Sequence, residues 1–585
     1  MCGIAGIVLS DGMADPVELD RMLHSLSHRG PDGASRDVVA GFGHTRLAII
    51  DLETGDQPFK TESGHRLVAN GEIYNYLELR SALGEEKFTT LSDCEIPLIL
   101  FERRGEKFAD DLRGMYAIAV RGGRQADVYL SRDPFGIKPL YSSIIDGGVA
   151  FSSEISALAD AGLIPRALHE EARDEMLQLQ FSTGRKTLQA HATRILPGET
   201  VRIRDDGVTH VRQRDVLPQE GPGDWSEEEA LEILDDVLMN SVLVHQRADV
   251  PYGMFLSGGI DSSAILACMR ELNDRPVEAF TAGFTGTDVA DERAHAERVA
   301  KAAGANFHSV NFSEDDFWTL LPEIVSVFDD PTTDYAILPT YKLGALARAH
   351  GLKVILSGEG GDELFAGYGR YRRSLRPWWL GGRPMRSQGL FDGEGLLRAE
   401  DGAWRRSEGP VDTGAAWSKL QQAQAADCRN WLPNDLLIKL DRCLMAHGVE
   451  GRTPLLDPEV AAVAFNLPEA LKIKNGQGKY LLRRWLATRL PEAEPYSKKR
   501  GFTVPVAHWI SSKACATGEL VAAQPAIQEI ADPDNVCRLF NSLEGNPASK
   551  PGQMAWTLLF YALWHRYHIQ GQALEGDVLE CLSSN

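Results

Sequence analysis

Apolar and polar residues alternate in short runs through the first two hundred positions, and most runs close on turn-forming residues. That period of two predicts strands at Ile4–Leu9, Arg66–Ala69, Met115–Val120, Asp127–Ser131 and Gly148–Ser152. Apolar spacing of three and four residues predicts helices at Val17–Ser27 and Glu95–Arg104, so this half reads as layered α+β. The Pro- and Gly-rich stretch Val216–Trp225 (VLPQEGPGDW) reads as a linker between domains spanning 1–215 and 226–585. Beyond it the pattern changes to strand Tyr252–Leu256, helix Ser263–Leu272, strand Val277–Ala282, helix Asp291–Ala303, strand Asn306–Val310, two helical stretches and strand Lys353–Leu356. Such a βαβ series predicts a parallel, doubly wound α/β sheet. From about Ala415 onward helical spacing dominates.

Composition changes this picture little but narrows the partners. A chain of 585 residues has room for two sizeable cores, and its 43% hydrophobic and 25% charged residues are those of a folding globular protein. The net charge of −22 sets the surface against a phosphate backbone, so nucleic acid is not an expected partner. The eight cysteines show no CxxC or Cys/His metal spacing, which points to reduced thiols and a cytoplasmic location. Neither an export signal nor an uninterrupted apolar run of about 18 residues occurs, so no membrane partner is expected.

Cys2 is the first candidate for chemistry. A small second residue permits removal of Met1, which would put a thiol and a free α-amine on one residue, nucleophile and base together. A thiol attacking a carboxamide needs oxyanion donors, and Asn70-Gly71-Glu72, read as the end of an apolar strand, offers a side-chain amide beside an unencumbered N–H. Selecting free glutamine needs a cation for its α-carboxylate and an anion for its α-ammonium, which Arg46 and Asp93 can supply. Each residue alone has a plainer reading: a small buried Cys, solvated charges, an Asn-Gly turn. Together, MCGIAGIV, SHRGPD (Ser27 to Asp32), RLAIID (Arg46 to Asp51), NGEIYN (Asn70 to Asn75), SDCE (Ser92 to Glu95) and RDPFGIKPLY (Arg132 to Tyr141) resemble the N-terminal-nucleophile glutaminase domain of class II glutamine amidotransferases. The resemblance implies a four-layer αββα fold, Cys2 as nucleophile, Asn70 and Gly71 as oxyanion donors, and Arg46, Glu72 and Asp93 as glutamine ligands alongside them.

A second candidate follows strand Tyr252–Leu256. Ser257-Gly258-Gly259-Ile260-Asp261-Ser262-Ser263 leads into a helix, so bare backbone, hydroxyls and a helix N-terminus form an anion cradle without the lysine of a Walker loop. Strand Lys353–Leu356 ends in Ser357-Gly358-Glu359-Gly360-Gly361-Asp362-Glu363, which a parallel sheet carries to the same edge. Glu359 reads as a catalytic carboxylate, and Asp261 and Asp362 as Mg²⁺ ligands suited to ATP and pyrophosphate. With DDPTTD (Asp329 to Asp334), DRCLMAHGVEGRTPLLD (Asp441 to Asp457) and GKYLLR (Gly478 to Arg483), these segments resemble the PP-loop synthetase domain of glutamine-dependent asparagine synthetases.

That resemblance implies ATP contacts from Leu256, Ala282, Ser357 and Gly358 as well as the Ser257–Ser263 loop. It also implies Glu359 acting on an acyl-adenylate and Lys479 stabilising charge on the α-phosphate. The substrates would be glutamine, aspartate and ATP, the products asparagine, glutamate, AMP and pyrophosphate; a homodimer is compatible with this. Gly451 and Leu455 depart from the commoner Ala or Val and Phe, near an expected interdomain surface. Tyr368–Pro410, where Arg370, Arg372, Arg373, Arg376, Arg383 and Arg386 surround Trp378 and Trp379, fits least, and reads as a surface insertion or as basic residues near the triphosphate rather than as an RNA site. The nearest alternative keeps the chemistry and changes the acceptor to a sugar acid, peptide or cell-wall precursor. A phosphosugar amidotransferase would replace both loops of the second domain, and a binding-only relative would be expected to lose Cys2 or the loop carboxylates.

Overall fold

The computed structural model describes all residues except 1, 11–12, 124–126, 205–206, 285–291, 384, 387, 399–401, 403, 408–415, 498–503, 546, 548 and 585. Before the linker, twelve described strands form two antiparallel sheets. One runs, in spatial order, Thr193–Arg194 (β10), Tyr141–Ile145 (β8), Gly148–Ser152 (β9), Gly3–Leu9 (β1), Phe42–Arg46 (β3) and Gly33–Asp37 (β2). The other runs Gly207–Gln213 (β12), Glu199–Arg204 (β11), Val128–Arg132 (β7), Gly114–Arg121 (β6), Arg66–Ile73 (β5) and Phe59–Lys60 (β4). Alternation along β1 shows how they stack: Ile4 and Val8 join Val68, Ala117 and Leu130 between the sheets. Ala5 and Ile7 face the other way, onto Leu19, Met22 and Ile155 of helices Pro16–Ser25 and Ile155–Asp160. Helix Ile96–Arg104 covers the outer face of the second sheet through Leu98 and Phe101 against Leu67 and Tyr116. Four layers, αββα, result.

One expectation is corrected here. Asn70-Gly71-Glu72 does not end a strand but lies within β5, which stays paired to β6 as far as Ile73 opposite Gly114. The close pairing also explains the glycine, because a Cβ at position 71 would fall 2.2 Å from the Met115 carbonyl oxygen.

The linker is packed rather than a free tether: Gly223 donates its N–H to the Asn466 carbonyl (2.8 Å) and the Trp417 indole donates to the Pro218 carbonyl (2.9 Å). It ends at Ser226, whose reciprocal capping with Glu229 starts helix Glu227–His245. The second domain holds an all-parallel sheet ordered Asn306–Phe312 (β15), Glu278–Phe284 (β14), Tyr252–Phe255 (β13), Val354–Leu356 (β16) and Glu450–Arg452 (β17). Strand order reverses between β13 and β16, the place where such sheets open a crevice beyond their C-terminal ends. Of the expected helix Asp291–Ala303 the structure shows Arg293–Ala302, Asp291 lying outside the described residues. The helical pattern after Ala415 concealed β17, three residues long and paired to β16. No helix among the described residues is long and apolar enough to cross a membrane.

The two halves share one core, with Leu47 and Ile49 of the first in the same cluster as Leu256, Leu455 and Leu456 of the second. Around it lie buried charges that cross the boundary. Arg29 donates to Glu154 (2.7 Å) and Asp441 (2.8 Å), while Arg442 reaches Glu154 and Asp329 (both 2.6 Å). Arg194 pairs with Asp330 (2.5 Å). Buried pairs of this kind fix the relative placement of the halves more than they add net stability, because removing one partner strands the other. Gly451 sits at this boundary, its carbonyl 3.4 Å from the Lys138 ammonium, and a Cβ there would press to 3.0 Å on Leu440.

Candidate active sites

Cys2 stands just before β1 and lines a small cavity with His44, Arg46, Gly71, Glu72 and Asp93. Its backbone N–H donates to Asn70 Oδ1 (3.2 Å), which fixes the orientation of that amide. The Asn70 Nδ2 donor is buried and has no hydrogen-bond partner among the described residues, so it is available to a developing oxyanion. Burial pushes the Cys2 thiol above its ordinary value. His44, which also lines the cavity, is driven down to about 3 by burial and by Arg46, which keeps its imidazole neutral near neutral pH.

Arg46 and Asp93 both reach this cavity, from β3 and from the turn Asp93–Glu95. The Arg46 guanidinium donates to Asp56 (2.9 Å) and to the Asp51 carbonyl. Asp93 accepts from the Ile73 N–H (2.7 Å), and burial raises its carboxyl to about 6, an environment that a ligand ammonium would relieve. Glu72 pairs with Arg452 of the second half at 3.1 Å. With the roles that the glutaminase resemblance implies, Arg46→Ala is expected to raise the KM for glutamine with a loss of roughly 2–5 kcal/mol, or ~30- to several-thousand-fold, by leaving a ligand carboxylate unpaired. Ammonia-dependent turnover stays near wild type; equal loss of both activities in steady-state assays would make Arg46 structural.

The second cavity, about 510 Å³, opens at the reversal of strand order. The loop after β13 brings Leu256, Ser257, Gly259, Asp261 and Ser262 to it, the loop after β16 brings Ser357, Gly358, Glu359 and Asp362, and β14 contributes Ala282. The loops touch: a Cβ at Gly358 would lie 3.0 Å from Asp261 Cβ, and one at Gly361 2.5 Å from the Asp261 carboxylate. Helix Ile260–Leu272 starts at Gly259 and turns its first N–H groups toward the loop. Gly258 and Ser263 flank the cavity rather than line it. Gly258 has φ +73° and a Cβ there would meet the His295 ring, whereas Ser263 is buried in the helix.

Lys479 lies behind this wall, buried, its ammonium bonded to Asp261 and 2.6 Å from Asp362. Burial lowers its affinity for a proton, but the two carboxylates more than restore it. Glu359 is pushed above the usual carboxylate range by burial, with Lys439 opposing and Asp334, Asp261 and Asp362 reinforcing. Lys439 and Asp334, 2.8 Å apart, also line the cavity; the sequence reading gave neither a role, although Asp334 ends the DDPTTD motif. In the Arg/Trp segment, Arg370 packs its guanidinium over Tyr368 and Trp431, both on the cavity wall, and bonds Asp427 together with Arg386. Trp378 and Trp379 are 80% and 68% exposed at the surface. The segment is thus part cavity wall and part surface; residues 384, 387, 399–401, 403 and 408–410 of it lie outside the described residues.

Comparison with known proteins assigns a family to each half. The family model for asparagine synthase matches residues 233–566, and that for a glutamine amidotransferase domain matches residues 1–214. A glutamine-hydrolyzing asparagine synthetase 1 from Bacillus subtilis is 33% identical over 97% of this chain and 97% of its own length. Asparagine synthetase B from Escherichia coli, also named glutamine-hydrolyzing, is 28% identical over 94% of this chain and 89% of its own. A Penicillium rubens protein named amidase chyE is 32% identical over 64% of this chain and 60% of its own.

Proposed function

The chain belongs to the asparagine synthase family of ATP-dependent ligases, and from that premise we propose that it hydrolyses glutamine at Cys2 and uses the ammonia to amidate the β-carboxylate of L-aspartate. The observation that carries the synthetase half of this reading is the meeting of the Ser257–Ser263 and Ser357–Glu363 loops at one cavity. We assign residues 1–215 to the glutaminase domain and 226–585 to the synthetase domain.

With Met1 removed, the α-amine of Cys2 takes the thiol proton as Sγ attacks the glutamine carboxamide. Met1 itself lies outside the described residues. Asn70 Nδ2 and the Gly71 N–H stabilise the oxyanion, while Arg46, Glu72 and Asp93 orient the amino acid. Collapse releases ammonia and leaves a glutamyl thioester for water to cleave. In the synthetase domain an oxygen of the aspartate β-carboxylate attacks the α-phosphorus of ATP, and pyrophosphate leaves into the Ser257–Ser263 cradle. Ammonia then attacks the acyl carbon, AMP departs, and Glu359 accepts the surplus proton. Lys479, held by Asp261 and Asp362 behind the cavity wall, offsets charge on the α-phosphate from there without lining the cavity. Asp261 and Asp362, which already hold one cation in Lys479, make a two-carboxylate set of the kind Mg²⁺ accepts beside phosphate oxygens, and the ion when bound would neutralise pyrophosphate charge.

The Lys439–Asp334 pair supports an amino-acid acceptor, since it offers a cation for an α-carboxylate and an anion for an α-ammonium. The amidase-named relative favours a second reading, in which the same chemistry serves another carboxylate. A screen of carboxylates by pyrophosphate release with ATP, Mg²⁺ and ammonia separates the two. Turnover with aspartate supports the first, and turnover only with a sugar acid, peptide or cell-wall precursor replaces it with the second.

A further inference from the structure

We infer that Arg452, a residue of the synthetase half, is a positioning residue for glutamine hydrolysis in the other half, acting through Glu72. The inference rests on the glutaminase reading of the Cys2 cavity. Strand β17 is one edge of the parallel sheet, and the side chain of its last residue, Arg452, is fully buried and reaches Glu72 of the first domain. Arg452 Nη2 lies 3.1 Å from Glu72 Oε1, and its Nε donates to Glu450 Oε1 (2.5 Å). Its Nη1 donates to the carbonyls of His245 and Arg247 (both 2.8 Å), so the guanidinium is held from three sides. An arginine suits this place because its fork bonds one carboxylate and two carbonyls while keeping Nη2 within ion-pair distance of Glu72, which a lysine cannot do in the same geometry.

Glu72 needs that cation. It lines the Cys2 cavity 4% exposed, and burial together with the negative charges of Asp93 and Glu450 drives its carboxyl well above the usual range; Arg452 is the opposing side-chain charge. The groups facing Glu72 are Arg452 and Glu450 from β17, Asp93 and Cys94 from the turn Asp93–Glu95, Tyr74 just past the end of its own strand, and Cys2. Without Arg452 the Glu72 carboxyl loses the charge that opposes its burial, and the balance moves further toward the protonated form, which presents no anion to the amino-acid ligand. The main chain of the same residue touches the other site, for the Arg452 carbonyl accepts from the N–H of Ser357, the first residue of the acidic loop (2.8 Å). A residue contributed across the boundary would tie a competent glutamine site to correct docking of the synthetase domain.

The test uses the full-length protein and the variants R452Q and R452K, with glutamate release measured across pH and ammonia-dependent amide formation measured in parallel. R452Q is expected to lose about 30-fold or more in kcat/KM for glutamine at pH 7 and to regain activity as pH rises and Glu72 ionises. R452K should recover part of the loss with a profile nearer wild type, and ammonia-dependent synthesis should stay within about threefold. In an E72Q background the further change to R452Q should leave the pH profile unmoved. A wild-type profile and KM in R452Q would overturn the inference, as would parallel loss of both activities in R452Q and R452K. If R452Q does not fold, a R452K profile identical to wild type overturns it and an alkaline shift supports it. Absence of glutamate release by the wild type would show instead that the glutaminase reading has failed, and the inference would fall with it.

Discussion

Cys2→Ala abolishes glutamate release and glutamine-dependent amide formation while ammonia-dependent synthesis continues near the wild-type rate. Removing a nucleophile that forms a covalent intermediate costs on the order of 10⁴- to 10⁶-fold in comparable hydrolases, so the residual activity falls below ordinary detection. The rest of the cavity should survive, because Cys2 contributes only a small buried side chain at the edge of β1, and its backbone bond to Asn70 does not depend on the thiol. The expected selectivity follows from the fold: the Cys2 cavity is lined by Cys2, β3 and the loop after it, β5 and the turn Asp93–Glu95, whereas the second cavity lies at the ends of β13, β14 and β16. Mass spectrometry of the active protein should find Met1 absent. An active protein that retains Met1 would refute the α-amine as base.

Glu359→Gln and Asp261→Ala have the converse effect. Each suppresses amide formation by about 10²- to 10⁴-fold with glutamine or with ammonia, while glutamate release from glutamine persists. Glutamine at 359 keeps the shape but cannot accept a proton, and it removes a half-buried carboxylate that Lys439 faces. Loss of Asp261 leaves Lys479 held by Asp362 alone and takes one carboxylate from the proposed Mg²⁺ pair. Coupled assays of pyrophosphate and glutamate release on the same samples check both halves. Undiminished pyrophosphate release in Glu359→Gln would remove that residue from chemistry up to and including adenylate formation. Undiminished amide formation would remove it altogether.

Much of this was legible locally. The strand, Gly/Ser loop and helix at Tyr252–Leu272 could be read because each part has its own signal: Tyr252 and Phe255 favour a strand, the turn chemistry of Ser257–Gly259 is unmistakable, and the helix follows at once. Both faces of β1 are buried, yet its run of small and branched residues still marked a strand. Beyond this, tertiary pairing decides. Nothing after Ala69 continues the apolar alternation, so the extension of β5 through Asn70-Gly71-Glu72 comes from its partner β6. Strand β2 is mostly exposed and polar, and β17 has three residues, too few for a period to register. The pairing of Glu72 with Arg452 joins residues from different domains, where no local pattern can announce it. Likewise Lys439 sits two residues before a motif that was recognised, but its place on the cavity wall follows from how the helix Ile438–Met445 packs.

The central claim is that a carboxylate is activated as an adenylate at the Ser257–Ser263 cradle. Aspartate carrying ¹⁸O in its β-carboxylate, turned over with ATP, Mg²⁺ and ammonia, tests it directly by mass spectrometry of the products. The account predicts one labelled oxygen in AMP and none in inorganic phosphate, because the oxygen bonded to the α-phosphorus leaves with the nucleotide when ammonia attacks. Label in inorganic phosphate, with ADP as the nucleotide product, would mean an acyl phosphate and would contradict it.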